Sequence, residues 1–187
     1  MLDISDNDLK ILLDDIYKAP LNITEEMILE RLVDRYRWPQ FYNTGAPTLE
    51  RIVGEDGLKV QDFFWSDGHL QVEKLLDFYN QGYTIIISGT QFLFKDITYI
   101  THRLYQQFGK EINSNCYLSK GTQVVSYPKH KHDYAVIVKN IIGQSTWEIN
   151  NTEYQLENQD VFLIGKFVDH QVKHINGMKF SITFNLQ

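Results

Sequence analysis

Hydrophobic positions in the first half of the chain follow the three- and four-residue spacing of amphipathic helices. Leu9, Leu12, Leu13 and Ile16, for example, share one helical face. The spacing and the breakers predict four helices: between Ser5 and Pro20, from Asn22 or Thr24 to Tyr36, and over 69–80 and 96–108. A strand candidate, Tyr83–Ile87, follows the third helix. The first half is therefore predicted to be mainly helical.

Short β-rich runs separated by turn residues take over after about residue 111. The predicted strands are 112–118, 122–127, 133–139, 145–149, 153–156, 160–164, 171–175 and 179–185. Asn150-Asn151 and Asn176-Gly177 are typical two-residue hairpin turns between such strands. Eight short strands at this spacing predict a closed barrel or jelly roll.

Composition narrows the class of protein. The 187 residues are 43% hydrophobic and 22% charged, which is ordinary for one soluble domain, with or without a helical appendage. The net charge of -6 and the absence of a basic stripe argue against nucleic acid as a partner. The single Cys116 excludes a disulfide within the chain and is expected to be a buried thiol. An acidic N-terminus and the lack of a long apolar run predict a cytoplasmic protein that does not enter membranes.

Histidines supply the candidate chemistry. His130 and His132 stand two residues apart next to a predicted strand, so both rings are expected on the same side of it. A third ligand must come from elsewhere, and His170 follows a buried strand and a short turn. His174, four residues later on the same face of a straight strand, is the alternative. Three imidazoles suit a divalent transition metal such as iron, zinc, nickel or manganese.

Other short motifs stand around these histidines in a definite order. They are Gly82–Ile87, Asn115–Ser119, Gly143–Trp147, Asp160–Ile164 and Asn176–Asn185. From about Gln71 onward, their order and spacing resemble the JmjC-type 2-oxoglutarate oxygenases of the cupin fold. Within that group the chain is most similar to the bacterial ribosomal-oxygenase-like and asparaginyl-hydroxylase-like branch.

The resemblance implies a fold, a cofactor and a set of site residues. Residues 83–187 would form a double-stranded β-helix (cupin or jelly-roll) barrel, on which a helical region, residues 1–82, packs. His130, His132 and His170 would hold Fe(II), with no catalytic residue beyond these ligands. The 2-oxoglutarate pocket would be formed by five further residues: Asn115, Tyr117, Tyr127, Ser145 and Asn185.

Two positions depart from the pattern of that family. His132 stands where the family carries a carboxylate, and the neighbouring Asp133 points to the opposite face of a regular strand unless a β-bulge turns it inward. Ser145 stands where the family places the Lys or Arg that pairs with the far carboxylate of 2-oxoglutarate. The sequence does not rank the basic residues that could replace it, which are Lys139, Lys166, Lys173 and Arg103.

Three functions follow from these features. The first is an Fe(II)/2-oxoglutarate-dependent oxygenase, a dioxygenase that hydroxylates a peptide, a protein or an amino-acid-derived small molecule. The second is a three-histidine cupin enzyme that uses a metal but no 2-oxoglutarate, which the His-x-His pair and Ser145 favour. The third is a non-catalytic binding module. By analogy with relatives, the helical region is also expected to support a homodimer.

Overall fold

The computed structural model of the protein describes residues 6–19, 21–33, 47–54, 56–121 and 127–187, and the side chains of all of these except residues 6–9 and 17. Four α-helices lie in this part of the chain: α1 (Asp6–Lys18), α2 (Glu25–Val33), α3 (Val72–Asn80) and α4 (Lys95–Phe108). Each of the four predicted helices is therefore present. The predicted cap Ser5 and the end of the second helix at Tyr36 lie outside the described residues. No described helix is both long enough and apolar enough to cross a membrane.

Eight antiparallel strands form one sheet in the described chain. They are β1 (Thr48–Val53), β2 (Leu58–Val60), β3 (Ile85–Ser88), β4 (Ile112–Lys120), β5 (Ala135–Ile149), β6 (Thr152–Leu156), β7 (Val161–Ile164) and β8 (His170–Leu186). The order across the sheet is β2-β1-β3-β4-β8-β5-β6, and β7 pairs with the first half of β5. The mainly β architecture with N-terminal helices that the sequence predicted is confirmed.

The two long strands β5 and β8 give the sheet its barrel shape. They pair along nearly their whole length, but the register shifts at three places, between Asn140 and Ile142, between Ile142 and Gln144, and between Thr146 and Trp147. Such bulges bend a strand and increase its twist. The first half of β5 therefore pairs with β7 and its second half with β6, and the curved sheet encloses a cavity.

The outer face of the sheet forms the main hydrophobic core. Leu118 of β4 and Phe180 of β8 are buried there, in one cluster with residues of the four helices such as Ile16, Leu32 and Leu104. Packing of amphipathic helices on one face of a sheet removes their apolar stripes from water. The helices therefore cover the outside of the barrel and leave its inner face to the cavity.

The structure differs from the sequence-based prediction in three elements. β1 and β2 lie within residues 1–82, where only helices were predicted, and they extend the sheet through β3. Asn176-Gly177 does not turn a hairpin, because both residues lie inside the continuous strand β8. The runs 133–139 and 145–149 likewise belong to one strand, β5. By contrast, Asn150 and Asn151, both with positive φ, connect β5 to β6 in the predicted hairpin.

Candidate metal centre and its cavity

Three histidine rings meet at one end of the barrel. One ring nitrogen from each of His130, His132 and His170 lies within 4.8 Å of the corresponding nitrogens of the other two. Their ring centroids are 4.3–5.2 Å apart. Because a metal–imidazole bond is about 2.0–2.1 Å long, small ring rotations bring all three nitrogens to one ion.

Backbone carbonyls fix the orientation of two of these rings. Nδ1 of His130 lies 2.8 Å from the carbonyl oxygen of Pro128, and Nδ1 of His170 lies 2.9 Å from that of Val168. A neutral imidazole that donates from Nδ1 keeps its lone pair on Nε2. Hydrogen bonds of this kind set the tautomer of metal-binding histidines. The donor set therefore fits a divalent transition metal.

The backbone joins the two segments that carry the histidines. The N–H of His130 donates to the carbonyl of His170 (3.1 Å), and the N–H of His170 donates to the carbonyl of His130 (2.8 Å). The N–H of Phe167, a residue with φ of 60°, donates to the carbonyl of His132 (2.7 Å). His130 and His132 precede β5 and do not lie on a regular strand, so the strand alternation predicted for them is wrong. The shared bridge to His170 brings the rings together instead.

The two alternative ligands considered from the sequence do not join this cluster. His174 is exposed and pairs with Thr146, because the register shift between Thr146 and Trp147 gives β8 one extra residue. That extra residue turns His174 to the face opposite His170. Asp133 is also exposed, and it is not among the residues that line the cavity. The candidate ligand set therefore contains no carboxylate.

Burial keeps two of the histidines neutral. The pKa of His132 falls to about 4, chiefly because the ring is removed from water and secondly because His130 and His170 stand beside it. Burial also lowers the pKa of His170. The ring of Tyr134 stacks on that of His132, with centroids 4.7 Å apart and planes 10° apart. Neutral, fixed imidazoles at pH 7 are the form that binds metal.

The cavity beside the histidines has a volume of about 170 Å³ and a mixed lining. Four of the five residues predicted to contact a cosubstrate line it: Asn115, Tyr117, Tyr127 and Asn185. Tyr127 connects this wall to the cluster, since its ring centroid is 6.2 Å from that of Tyr117 and 5.3 Å from that of His130. Burial raises the pKa of Tyr117 to about 12 and that of Tyr127 further, so both phenols stay protonated.

Ser145, the fifth predicted pocket residue, has a different place. It is buried on β5, and its Oγ accepts a hydrogen bond from Nε1 of Trp147 (3.1 Å). Trp147 lines the cavity and Ser145 does not. Ser145 therefore orients the indole that forms part of the cavity wall.

The basic residues at the cavity are not the four that the sequence suggested. Arg103 pairs with Asp15 on the helical side, and Lys173 lies near Glu148. Lys139 lies near the carbonyl of Gln159, and neither it nor Lys166 lines the cavity. Lys59 and Lys179 line it instead. The sequence feature that indicates an inward-facing Lys179 is the alternation along β8. Four polar residues share the inner face there: Lys179, Ser181, Thr183 and Asn185.

One family profile agrees with the antiparallel barrel described above. The sequence profile of the AraC-like ligand binding domain matches residues 114–183, which run from β4 into β8 and include all three histidines. The match covers less than half of the chain. No curated protein sequence matches the chain at a significant level.

Solved structures that align with the chain include several cupins. A cupin superfamily protein from Desulfitobacterium hafniense is 12% identical, with a TM-score of 0.36 over 40% of this chain and 66% of that chain. An RmlC-like cupin from Shewanella frigidimarina is 19% identical, with a TM-score of 0.36 over 41% of this chain and 67% of that chain. Salicylate 1,2-dioxygenase from Pseudoaminobacter salicylatoxidans is 10% identical, with a TM-score of 0.35 over 40% of this chain and 20% of that chain.

The strand topology and the profile match define the class of the molecule as a cupin-type β-barrel with helices on its outer face. Neither the profile match nor the structures named above are specific to the JmjC-type oxygenases. The narrower assignment drawn from the sequence motifs therefore stays a prediction.

Proposed function

We propose that the protein is a metal-dependent enzyme in which His130, His132 and His170 hold one divalent transition-metal ion at the cavity. The observation that supports this is the meeting of three imidazole nitrogens within 4.8 Å. Three protein ligands leave coordination positions for a ligand that enters the cavity, as in catalytic metal sites. Imidazole ligands suit iron, zinc, nickel or manganese. When bound, the metal would supply Lewis-acid chemistry to the oxygen atoms of that ligand.

The residues of the chain itself would bind and orient the substrate. Asn115 and Asn185 provide amide groups that both donate and accept hydrogen bonds, and the phenols of Tyr117 and Tyr127 stay protonated as donors. The apolar wall, which includes Val136, excludes water around them. A cavity of about 170 Å³ inside a barrel suits a small molecule better than a folded protein.

Metal titration tests this function. Calorimetry with Zn(II) or Mn(II) should give one equivalent bound to the wild-type chain and about 100-fold weaker binding, or none, for His170→Ala. His174→Ala is the matched control, because His174 is an exposed histidine on the same strand and should leave binding unchanged. Equal metal affinity in wild type and His170→Ala would contradict the proposal.

A second candidate is the Fe(II)/2-oxoglutarate oxygenase that the sequence motifs suggested. Its support is that Asn115, Tyr117, Tyr127 and Asn185 line one cavity beside the histidines. It stands second because the ligand set has no carboxylate and Ser145 faces Trp147.

Two measurements separate the two candidates. Anaerobic Fe(II) with 2-oxoglutarate should give a visible charge-transfer band, and oxygen should then yield succinate, if 2-oxoglutarate is the cosubstrate. Metal binding without either signal favours the three-histidine enzyme. A non-catalytic ligand-binding module, which the AraC-like profile also suits, is the remaining outcome if metal does not bind.

A further inference from the structure

A lysine is buried in the cavity wall. Lys179 lies on the inner face of β8 and is only 3% exposed. Among the described residues, no carboxylate pairs with its ammonium group. Its amine faces the ring of Trp147, whose centroid is 5.0 Å from Nζ. Keeping an amine charged away from water without an anionic partner is costly, so a bound anion would stabilise the charged form of Lys179.

The charges around the cavity point to the same kind of ligand. The described lining contains Lys59 and Lys179 but no aspartate or glutamate, although the chain as a whole carries a net charge of -6. Lys59 Nζ lies 3.7 Å from Glu50 Oε2 and so has a carboxylate of its own. Lys179 is therefore the cation with which a bound anion would pair.

Residues with hydroxyl groups lie on the same wall of the cavity as Lys179. Ser119 of β4 is the register partner of Lys179, and in an antiparallel pair such residues share one face. Ser119 Oγ lies 2.8 Å from Thr84 Oγ1, and both residues are buried and line the cavity. One proton joins these two oxygens, which leaves the other hydroxyl proton for a ligand. Ser181, the next inward residue of β8, also lines the cavity.

The distance to the histidine cluster limits the size of the ligand. The Trp147 centroid lies 6.4 Å from that of His170 and 5.0 Å from Lys179 Nζ. Lys179 Nζ and the ring centroid of His170 are therefore no further apart than the sum of these two distances. A molecule with only a few bonds between its two polar ends can reach both.

We infer that Lys179, with the hydroxyls of Ser119 and Thr84, forms a carboxylate-binding subsite, so that the ligand of the cavity is a small molecule with a carboxylate at one end and a metal-coordinating oxygen at the other. The second half of this statement rests on the proposed metal site. The carboxylate pairs with the ammonium group in a charge-assisted hydrogen bond. Burial lowers the pKa of Lys179 to about 7 in the absence of a ligand, and a bound carboxylate would favour the charged form again.

The test uses succinate as the probe and its neutral analogue succinamide as the comparison. Calorimetry on the Zn(II)-loaded wild-type chain should detect succinate, whereas succinamide should bind at least about tenfold more weakly. Lys179→Met should weaken succinate about 10–100-fold, because it removes the charge but keeps the length of the side chain. Lys173→Met is the matched control, since Lys173 is an exposed lysine of β8 on the outside of the cavity, and it should not change succinate binding.

Three measurements distinguish a failure of the carboxylate subsite from a failure of the proposed metal site. Lys179→Met should bind Zn(II) as the wild type does, whereas His170→Ala should lose the metal but keep a succinate response that depends on Lys179. In the absence of ligand, Lys179→Met should also melt no lower than the wild type, because it replaces a buried amine that has no carboxylate partner with an apolar side chain. Equal succinate affinity in wild type and Lys179→Met, or equal binding of succinate and succinamide, would overturn the subsite.

Binding of 2-oxoglutarate then distinguishes two classes of ligand that could carry the carboxylate. Tighter binding of 2-oxoglutarate than of succinate, seen only with metal present, would assign the carboxylate to a 2-oxo acid that also contacts the ion. Equal binding would assign it to a substrate that has no 2-oxo group. Both results require the loss of affinity in Lys179→Met.

Discussion

The two faces of the β4–β8 strand pair differ in what their side chains contact. Apolar residues occupy the outer face, where the helices bury them: Cys116, Leu118, Phe180, Ile182 and Phe184. Polar residues occupy the inner face, where they line the cavity: Asn115, Tyr117, Ser119, Lys179, Ser181, Thr183 and Asn185. The strict alternation of a β-strand separates the two sets within one stretch of chain.

This difference teaches that the same strands contribute to stability on one side and, under the proposed function, form the ligand site on the other. Apolar burial is the main favourable contribution to folding, and it lies on the outer face. The inner face instead holds amide, hydroxyl and amine groups that are removed from bulk water, an arrangement that suits a polar ligand but contributes little to stability. Substitutions on the two faces should therefore have different consequences.

The largest effect is expected on the outer face. Phe180→Ala should lower the free energy of unfolding by about 3–5 kcal/mol, because a fully buried aromatic ring leaves a cavity behind. Its neighbour on the opposite face, Ser181→Ala, should change the free energy of unfolding by about 1 kcal/mol or less. Urea unfolding of both variants measures the contrast. Similar losses at residues 180 and 181 would show that the two faces do not differ in this way.

The next prediction concerns the bend in β5, where the register with β8 shifts between Ile142 and Gln144. Gly143 has φ of +83°, and a Cβ atom there would lie 1.9 Å from the carbonyl oxygen of Met178. Gly177 also has positive φ (+69°), but its Cβ would meet nothing within 4 Å. Gly177→Ala should therefore lower the free energy of unfolding by about 1–2 kcal/mol.

Gly143→Ala should lower the free energy of unfolding by about 1–3 kcal/mol more than Gly177→Ala does, since the new Cβ atom clashes with backbone. Thermal or urea unfolding of the two alanine variants gives the comparison. A Gly177 variant less stable than the Gly143 variant would contradict the close approach of β5 and β8 at this bend.

A smaller effect is expected from pH at the inner-face site. The pKa of His132 lies near 4 in the folded metal-free chain, against about 6.5 in the unfolded chain, so the unfolded state binds more protons between these values. The free energy of unfolding should then fall as pH decreases from about 6.5 to 4 and should be flat above that range as far as this group is concerned. His132→Asn should reduce the slope.

The matched control for this pH series is His174→Asn, an exposed histidine that should leave the slope unchanged. Urea midpoints at pH 7, 5.5 and 4.5 for the three proteins provide the data. A slope that His132→Asn leaves intact would place the titration elsewhere. His170, whose pKa burial also lowers, accounts for a remaining slope in the variant.

The sequence predicted those parts of the molecule that have a strong local signal. The helical spacing of α1 and α4 and the Asn150-Asn151 hairpin are local, and the structure has them where the pattern placed them. β1 was missed because its centre carries Glu50 and Arg51, which are buried through pairing with neighbouring groups. Arg51 pairs with Asp62, for example, and no apolar run marks the strand.

The parts that could not be predicted depend on long-range pairing. Asn176-Gly177 is a good hairpin signal on its own, but pairing with β5 on one side and β4 on the other keeps β8 continuous there. The bulge that turns His174 outward is likewise set by the partner strand. Lys179 was passed over because a lysine in a strand by itself indicates solvent. Its alternation with Ser181, Thr183 and Asn185 indicates one shared face, but only the pairing of the strands shows that this face lines a cavity.

We propose above all that His130, His132 and His170 hold one metal ion. Anomalous diffraction from a crystal of the Zn(II)-loaded protein tests it most directly. We expect one anomalous peak at about 2.0–2.1 Å from a ring nitrogen of each of the three histidines, open to the cavity. No peak at this cluster, or a peak held by other residues, would contradict the account.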